Sequence, residues 1–341
     1  MRPTTRPARA DDGDGVLPDR WAQGGDRRSF VAELDGAVLG HCRGVDSSFH
    51  PGSRTFILQV DPDLPRDLAV ATAEALTRAQ LAVSALPLRL RIGADDWLER
   101  RVMDACDGVV EQVLAPWCYR VGPALRAWAA TRAAAGGLRP VEPRDEEPLA
   151  RLWARHYAAQ HARWAPSAAP DELRRLFAKT LARDSPDSYD RRASRVLERD
   201  GELVAAALVW PEEEEGEGRE VNLVSATYED PTALADKDAC LADVVGAREE
   251  GERLLIDTHM TEPGERILRA ELPPAEDSQW TLLVALPCAG GRLRPFPAGI
   301  LTEWDAPAWV RGPSGPPVRE RGGRERRAER QQAASAARPT A

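Results

Sequence analysis

Phe30-Val31-Ala32-Glu33-Leu34-Asp35-Gly36-Ala37-Val38-Leu39-Gly40 and Val196-Leu197-Glu198-Arg199-Asp200-Gly201-Glu202-Leu203-Val204-Ala205 decide how this chain is read. Each sets an Asp-Gly pair between two apolar runs. Asp-Gly supports the positive φ of a tight turn, so each stretch predicts a hairpin. Glu33 and Glu198 stand 165 residues apart, and the offset persists. Phe56-Ile57-Leu58-Gln59-Val60 falls on Val221-Asn222-Leu223-Val224-Ser225, and Leu88-Arg89-Leu90-Arg91-Ile92 falls beside Leu254-Leu255-Ile256-Asp257. Helical stretches at 66–84 and 231–250 lie between these strands. Both copies read hairpin, strand, helix, strand, helix: an internal repeat of long period.

The copies differ at their starts. Arg6-Pro7-Ala8-Arg9-Ala10-Asp11-Asp12 resembles Arg139-Pro140-Val141-Glu142-Pro143-Arg144-Asp145 at an offset of 133, so the first copy is 32 residues shorter here. In the second copy Leu149, Leu152, Trp153 and His156-Tyr157, then Leu173, Leu176 and Phe177, recur at helical spacing. In the first copy Gly13, Gly15, Gly24 and Gly25 predict loop. The expected domains are 1–123 and 138–287, with a linker at 124–137 and an extension at 288–341. The linker holds a short Ala-rich helix at 125–135, ended by Gly136-Gly137. Glu212 to Glu215 predict an exposed hairpin tip. Phe296, Ile300, Trp304 and Trp309 suit packing on the body, and the Pro/Gly/Arg-rich chain after Val310 predicts disorder.

Composition narrows the function. The chain has 341 residues, a length that fits two domains, and 43% hydrophobic residues, enough for ordinary cores. No run approaches the 18 apolar residues of a membrane span, and the polar stretch 1–15 has no signal-like apolar core, so no membrane role is expected. Cys42, Cys106, Cys118, Cys240 and Cys288 are scattered and form no C-x-x-C pair, which predicts free thiols, no zinc site and a cytoplasmic location. Only Lys179 and Lys237 are lysines among 46 basic residues, as under a GC-rich coding bias. The net charge is −9; the stretch from Arg311 onward carries +5, which leaves −14 on the rest. An acidic body argues against nucleic acid as partner. The basic tail (Arg319, Arg321, Arg324, Arg326, Arg327, Arg330) reads as a solvated end. No Ser/His/Asp signature, H-E-x-x-H or G-x-x-x-x-G-K-[ST] motif is present.

Val60-Asp61-Pro62-Asp63-Leu64-Pro65-Arg66-Asp67-Leu68-Ala69-Val70-Ala71 leaves a strand and opens a helix. The first N–H groups of such a helix are unpaired, and with its dipole they suit a pyrophosphate. This context and the two-copy pattern resemble the GNAT N-acetyltransferase superfamily in its tandem, mycothiol-synthase-like organisation, over residues 5–287. The family motif Q/R-x-x-G-x-G/A falls on Arg66, Ala69 and Ala71, with alanine in place of the central glycine. Alanine restricts positive φ, which makes a strained loop costlier. Arg132-x-x-Ala135-x-Gly137 fits the bare pattern too, but no strand precedes it. In the second copy, Tyr228 to Asp236 keeps no such motif, and Glu229, Asp230 and Asp236 oppose a phosphate.

The resemblance implies an α/β (α+β) fold: two tandem domains, each a central mixed sheet flanked by helices. It implies acyl transfer from acetyl-CoA or a related acyl-CoA to an amine of a small metabolite, by a monomer or homodimer. Leu58, Gln59 and Val60 would offer backbone to the pantetheine arm, and Arg66, Asp67, Leu68, Ala69, Val70 and Ala71 would hold the pyrophosphate. A tyrosine that usually protonates the leaving thiolate falls on Asp104, four residues before Gly108. Tyr119, with Cys118 on the expected last strand of the first domain, and His259, after the strand ending the second copy's core, are the remaining catalytic candidates. Glu33 and Glu198 read as solvated. Two alternatives stay open: a non-catalytic acyl-CoA sensor or scaffold, and an interaction protein acting through residues 288–341.

Overall fold

The computed structural model describes residues 2–9, 12, 27–93, 96–132, 136–182, 188–212, 216–226, 230–277, 279–288, 293–301 and 304. The expectations placed on Gly13, Gly15, Gly24, Gly25, Glu213 to Glu215, Tyr228, Glu229, Trp309 and the basic tail lie outside these residues.

In chain order the elements are β1 (Thr4–Pro7), β2 (Arg27–Leu34), β3 (Ala37–Asp46), β4 (Arg54–Val60), α1 (Arg66–Val83), β5 (Leu88–Gly93), α2 (Trp97–Ala105), β6 (Val109–Leu114), β7 (Cys118–Arg120), α3 (Pro123–Ala130) and β8 (Leu138–Pro140). There follow α4 (Glu146–His161), α5 (Pro170–Leu181), β9 (Arg195–Arg199), β10 (Glu202–Val209), β11 (Arg219–Ser225), α6 (Pro231–Gly246), β12 (Arg253–Ile256), α7 (Pro263–Glu271) and β13 (Thr281–Leu286). Two compact units result: Met1–Val113 with Thr281–Ala341, and Leu114–Trp280. Each carries a mixed sheet, with strand orders β1-β2-β3-β4-β5-β13-β6 and β7-β12-β11-β10-β9-β8.

The repeat is visible atom by atom. Both Asp-Gly turns are left-handed at both residues, with φ of 51° and 84° at Asp35 and Gly36 and 52° and 81° at Asp200 and Gly201. Arg6 grips both carboxylate oxygens of Asp12 and reaches Glu33 Oε2 at 2.9 Å. Arg139 grips Asp145 in the same way and reaches Glu198 Oε2 at 2.7 Å. Glu33 and Glu198 are therefore ion-paired rather than merely solvated, because each closes an arginine fork that ties strand to turn.

Alternation along β3 sets the first unit's packing. Gly40, Cys42 and Gly44 face α1, whose buried side includes Ala69, Thr72, Ala73, Leu76, Thr77 and Gln80. The Cys42 thiol donates to the Leu76 carbonyl. A Cβ on Gly44 would run into the Gln80 carboxamide and the Arg54 side chain, so glycine permits this close approach. In the second unit Ala205, Ala207 and Val209 share a core with Cys240, Leu241 and Val244 of α6. On the other face of that sheet, Trp210 meets Trp153 of α4 at 6.2 Å between ring centroids.

Three domain expectations need correction. Cys118 and Tyr119 do not end the first sheet: β7 pairs antiparallel with β12 in the second. Thr281–Leu286 does not end the second domain: β13 pairs antiparallel with β5 in the first sheet. Residues 123–130 are not a bare linker, because Leu125 and Trp128 of α3 lie in the second unit's core. Each unit takes its strand beside the last parallel one from the other half of the sequence. The added strands pair the backbone groups along β12 and β5, which are thereby interior strands rather than edges. After β13, the Phe296 N–H donates to the Val110 carbonyl at 2.7 Å, and Leu301 is fully buried.

Candidate functional site

β4 and β5 start as parallel neighbours and then part. Their register covers only Arg54 with Leu88 and Thr55 with Arg89. The Asp61 N–H bonds to the Leu39 carbonyl, so odd-numbered residues of β4 direct their backbone groups to β3. Leu58 and Val60 therefore direct theirs to the β5 side, where no strand pairs them among the described residues. Gln59 directs its own to β3, opposite His41. The opening leads into residues 61–65, where the Asp63 N–H donates to Asp61 Oδ1 at 2.9 Å.

At α1 the Leu68 and Ala69 N–H groups both reach the Pro65 carbonyl, and no side chain caps the helix. Among the described residues the Arg66 and Asp67 N–H groups have no partner at its positive end. Pro65 has φ −53° and ψ 138°, and no residue between 61 and 71 has positive φ. Alanine at 69 and 71 thus carries no backbone strain, which corrects the cost expected for a missing glycine. Ala69 faces the sheet, and the Arg66 guanidinium stacks 4.6 Å over the Trp97 ring at the start of α2. Asp61, Asp63 and Asp67 put three carboxylates in the same turn, and these weaken its pull on anions.

The second unit has the same opening but fills it. β11 pairs with β12 only as far as Val221 with Ile256. Ser225 is the counterpart of Val60, and its N–H donates to His156 Nδ1 at 3.3 Å. His156 comes from α4, part of the 32-residue excess of the second copy. Burial and the nearby Lys237 hold its imidazole neutral, well below the usual range. Asp230, the counterpart of Pro65, caps α6 by accepting from the Thr232 N–H at 2.7 Å. Asp236 lies a turn further on and is gripped by Arg199 at 2.6 and 2.7 Å, so its charge is matched rather than aimed at the helix end.

The two expected catalytic side chains lie in this second unit. Tyr119 is 1% exposed within the apolar core, and burial pushes its hydroxyl far up, so it holds its proton throughout the working range. That environment corrects its expected place at a cleft in the first domain. His259 is buried after β12, with Nδ1 3.0 Å from Glu262 Oε1 and Nε2 3.7 Å from Asp257 Oδ2. Burial opposes its charge, but Asp257, Glu262 and Glu265 prevail and raise its pKa. Beside it Lys237 and Glu265 form an ion pair at 2.6 Å, both under 5% exposed. His259 thus belongs to a buried charge network. His156 escaped sequence reasoning as the group that fills this opening; pairing Ser225 with Val60 at the 165 offset is the signal that points to it.

Arg132, the other pattern match, lies past the C-terminal end of α3 and pairs with Glu271. Among the described residues no three His, Cys, Asp or Glu side chains are grouped to hold a metal ion, and no helix is long and apolar enough to cross a membrane.

No protein-family model and no curated protein matches the chain. Solved structures similar to it include a tandem GNAT protein from the clavulanic acid biosynthesis pathway (13% identity, TM-score 0.48, covering 80% of this chain and 86% of that one). A GCN5-related N-acetyltransferase from Sphaerobacter thermophilus is also similar (13%, TM-score 0.47, covering 84% and 87%). So is a GNAT-family acetyltransferase from Colwellia psychrerythraea (11%, TM-score 0.48, covering 84% and 100%). All three TM-scores lie below 0.5, so function has to be read from the chain's own residues.

Proposed function

We propose that this chain is an acyl-CoA-dependent N-acyltransferase of the GNAT type, acting on an amine of a small metabolite, with acetyl-CoA or a related thioester held by the first unit. One observation carries the reading: among the described residues Leu58 and Val60 leave their backbone groups open beside β5, while the matching Ser225 N–H is taken by His156. Open strand groups suit the amides of a pantetheine arm. The Val60 N–H would donate to the thioester carbonyl, where negative charge grows as the amine attacks. The open N–H groups of Arg66 and Asp67 would meet the pyrophosphate. In the reaction the C–N bond forms, the C–S bond breaks, the ammonium gives up a proton and the thiolate gains one. The five cysteines are all free, which fits a reducing, cytoplasmic setting.

A second reading, a non-catalytic acyl-CoA binder, also has an observation in its favour. All four tyrosines (Tyr119, Tyr157, Tyr189, Tyr228) belong to the second unit, so the first supplies no tyrosine to protonate a thiolate. Native mass spectrometry with acetyl-CoA, beside Arg66→Glu, tests the cofactor site. Retained acetyl-CoA that the variant loses by about tenfold or more supports it, and equal retention by both sinks it. Steady thiol release with an amine panel then removes the binder reading.

A further inference from the structure

The second unit holds a cavity of about 360 Å³ that the acyltransferase reading does not use. It is lined from α4, the start of α5 and the start of β10, and its volume falls in the range of small-molecule sites. α4 and α5 belong to the stretch by which the second copy exceeds the first, and Glu202 of β10 stands where the first copy has Ala37. The two helices are fixed from inside, where Trp153 stacks on Phe177 at 4.3 Å between ring centroids. Ala154 and Pro170 give the cavity its apolar surface.

Charge sets this place apart. Other arginines of the same segment are matched with carboxylates: Arg144 with Glu142, Arg175 with Glu172 and Arg191 with Glu146. Arg151 and Arg155 line the cavity and, among the described residues, pair with none. They stand four residues apart on α4, so two like charges share one stripe and repel. Glu147 lies four residues before Arg151, the favoured spacing for a helix pair, yet its carboxylate goes to Arg174 at 2.5 Å. Arg174 is the third guanidinium of the cavity. Asp171 and Glu202 line the same space, and their carboxylates are likewise unpaired among the described residues. Two cations and two anions thus border one cavity with no ion pair between them.

We infer that this cavity binds a small molecule bearing both a carboxylate and an ammonium group, of amino-acid to dipeptide size, with Arg151 and Arg155 taking the carboxylate and Asp171 and Glu202 the ammonium. A guanidinium presents a planar fork that matches a carboxylate. A ligand with both signs satisfies both sets of side chains at once. A simple anion meets Asp171 and Glu202 as like charges, and a simple amine meets the three guanidiniums, so repulsion adds to the selectivity. The inference does not rest on the acyltransferase reading: its residues belong to the second unit, and the thioester opening belongs to the first.

Titration calorimetry on the full chain, without acyl-CoA, tests it. The probes are alanine, leucine and alanyl-alanine, each beside its N-acetylated form, which lacks the ammonium, and its amide, which lacks the carboxylate. At least one probe is expected to bind about tenfold or more tighter than both of its blocked forms. Arg151→Gln with Arg155→Gln is expected to bring that probe down to the level of its amide, and Asp171→Asn with Glu202→Gln to the level of its N-acetylated form. All four side chains are exposed, and circular dichroism checks that the variants fold. Binding of either a free amino acid or the dipeptide in this pattern supports the inference and fixes the size of the ligand. A blocked form that binds as tightly as its parent overturns it. So does a preference unchanged in either double variant, or no binding by any probe. Acetyl-CoA retention, read separately by mass, bears on the first unit alone and leaves this result standing.

Discussion

Gln80 lies wholly inside the first unit, and neither end of its carboxamide has a hydrogen-bond partner among the described residues. The second copy has Val245 at this position, so packing does not call for the amide. Gln80→Leu keeps the volume and removes two unsatisfied polar atoms. Urea unfolding is expected to show a gain of about 1–3 kcal/mol, and a loss would mean the amide has a partner of its own. The two perturbed histidines give opposite pH signatures. His41 titrates at about 3 in the folded chain against an ordinary 6.5, so its contribution is complete above 6.5 and is lost as pH falls toward 3. His259 is raised above 6.5, so its contribution is complete below 6.5 and is lost as pH climbs through its folded value. Melting curves of His41→Ala are expected to flatten the acid limb and those of His259→Asn the alkaline one. An unchanged limb in either variant would refute that assignment.

Two helices at matching places end differently, and the difference separates a binding end from a structural one. α6 is capped by Asp230, and Asp230→Ala is expected to cost about 1 kcal/mol in unfolding measurements. α1 begins at Pro65 with no cap. Pro65→Asp would install the second copy's cap and close the open N–H groups. The first unit's melting temperature is expected to hold or rise while acetyl-CoA affinity drops about tenfold or more, as read by calorimetry. Unchanged affinity would move the pyrophosphate away from this helix. Both helices were legible from the spacing of small and apolar residues, and the 165 offset aligned them. Whether their ends were capped was not, because a cap depends on where one carboxylate points. Pro65 and Asp230 look equally plausible before a helix.

At the scale of the whole chain, the exchange of β7 and β13 makes the units unequal as fragments. Leu114–Trp280 is one continuous stretch that contains all of its sheet from β7 to β12. Met1–Val113 lacks β13, which lies between β5 and β6. The 114–280 fragment is therefore expected to unfold cooperatively on its own. The 1–113 fragment is expected to stay protease-sensitive until a peptide covering 281–288 is added. Limited proteolysis and far-ultraviolet circular dichroism check both. A protected 1–113 fragment would show that β13 is dispensable.

By itself the sequence determined the two-copy organisation, the Asp-Gly hairpins, the strand-to-helix turn at Arg66 and a first copy 32 residues shorter at its start. All of these depend on neighbours within a few residues or on a repeated pattern. Only the tertiary structure decided which sheet receives Tyr119 and Thr281–Leu286, and that α3 is core rather than linker. It also decided that Glu33 and Glu198 close arginine forks, and that His156 fills the second opening. Those outcomes turn on pairings between residues far apart along the chain. A strand's composition states that it needs a partner, but not which one, because every strand offers the same backbone donors and acceptors and the choice depends on the packing of the whole chain.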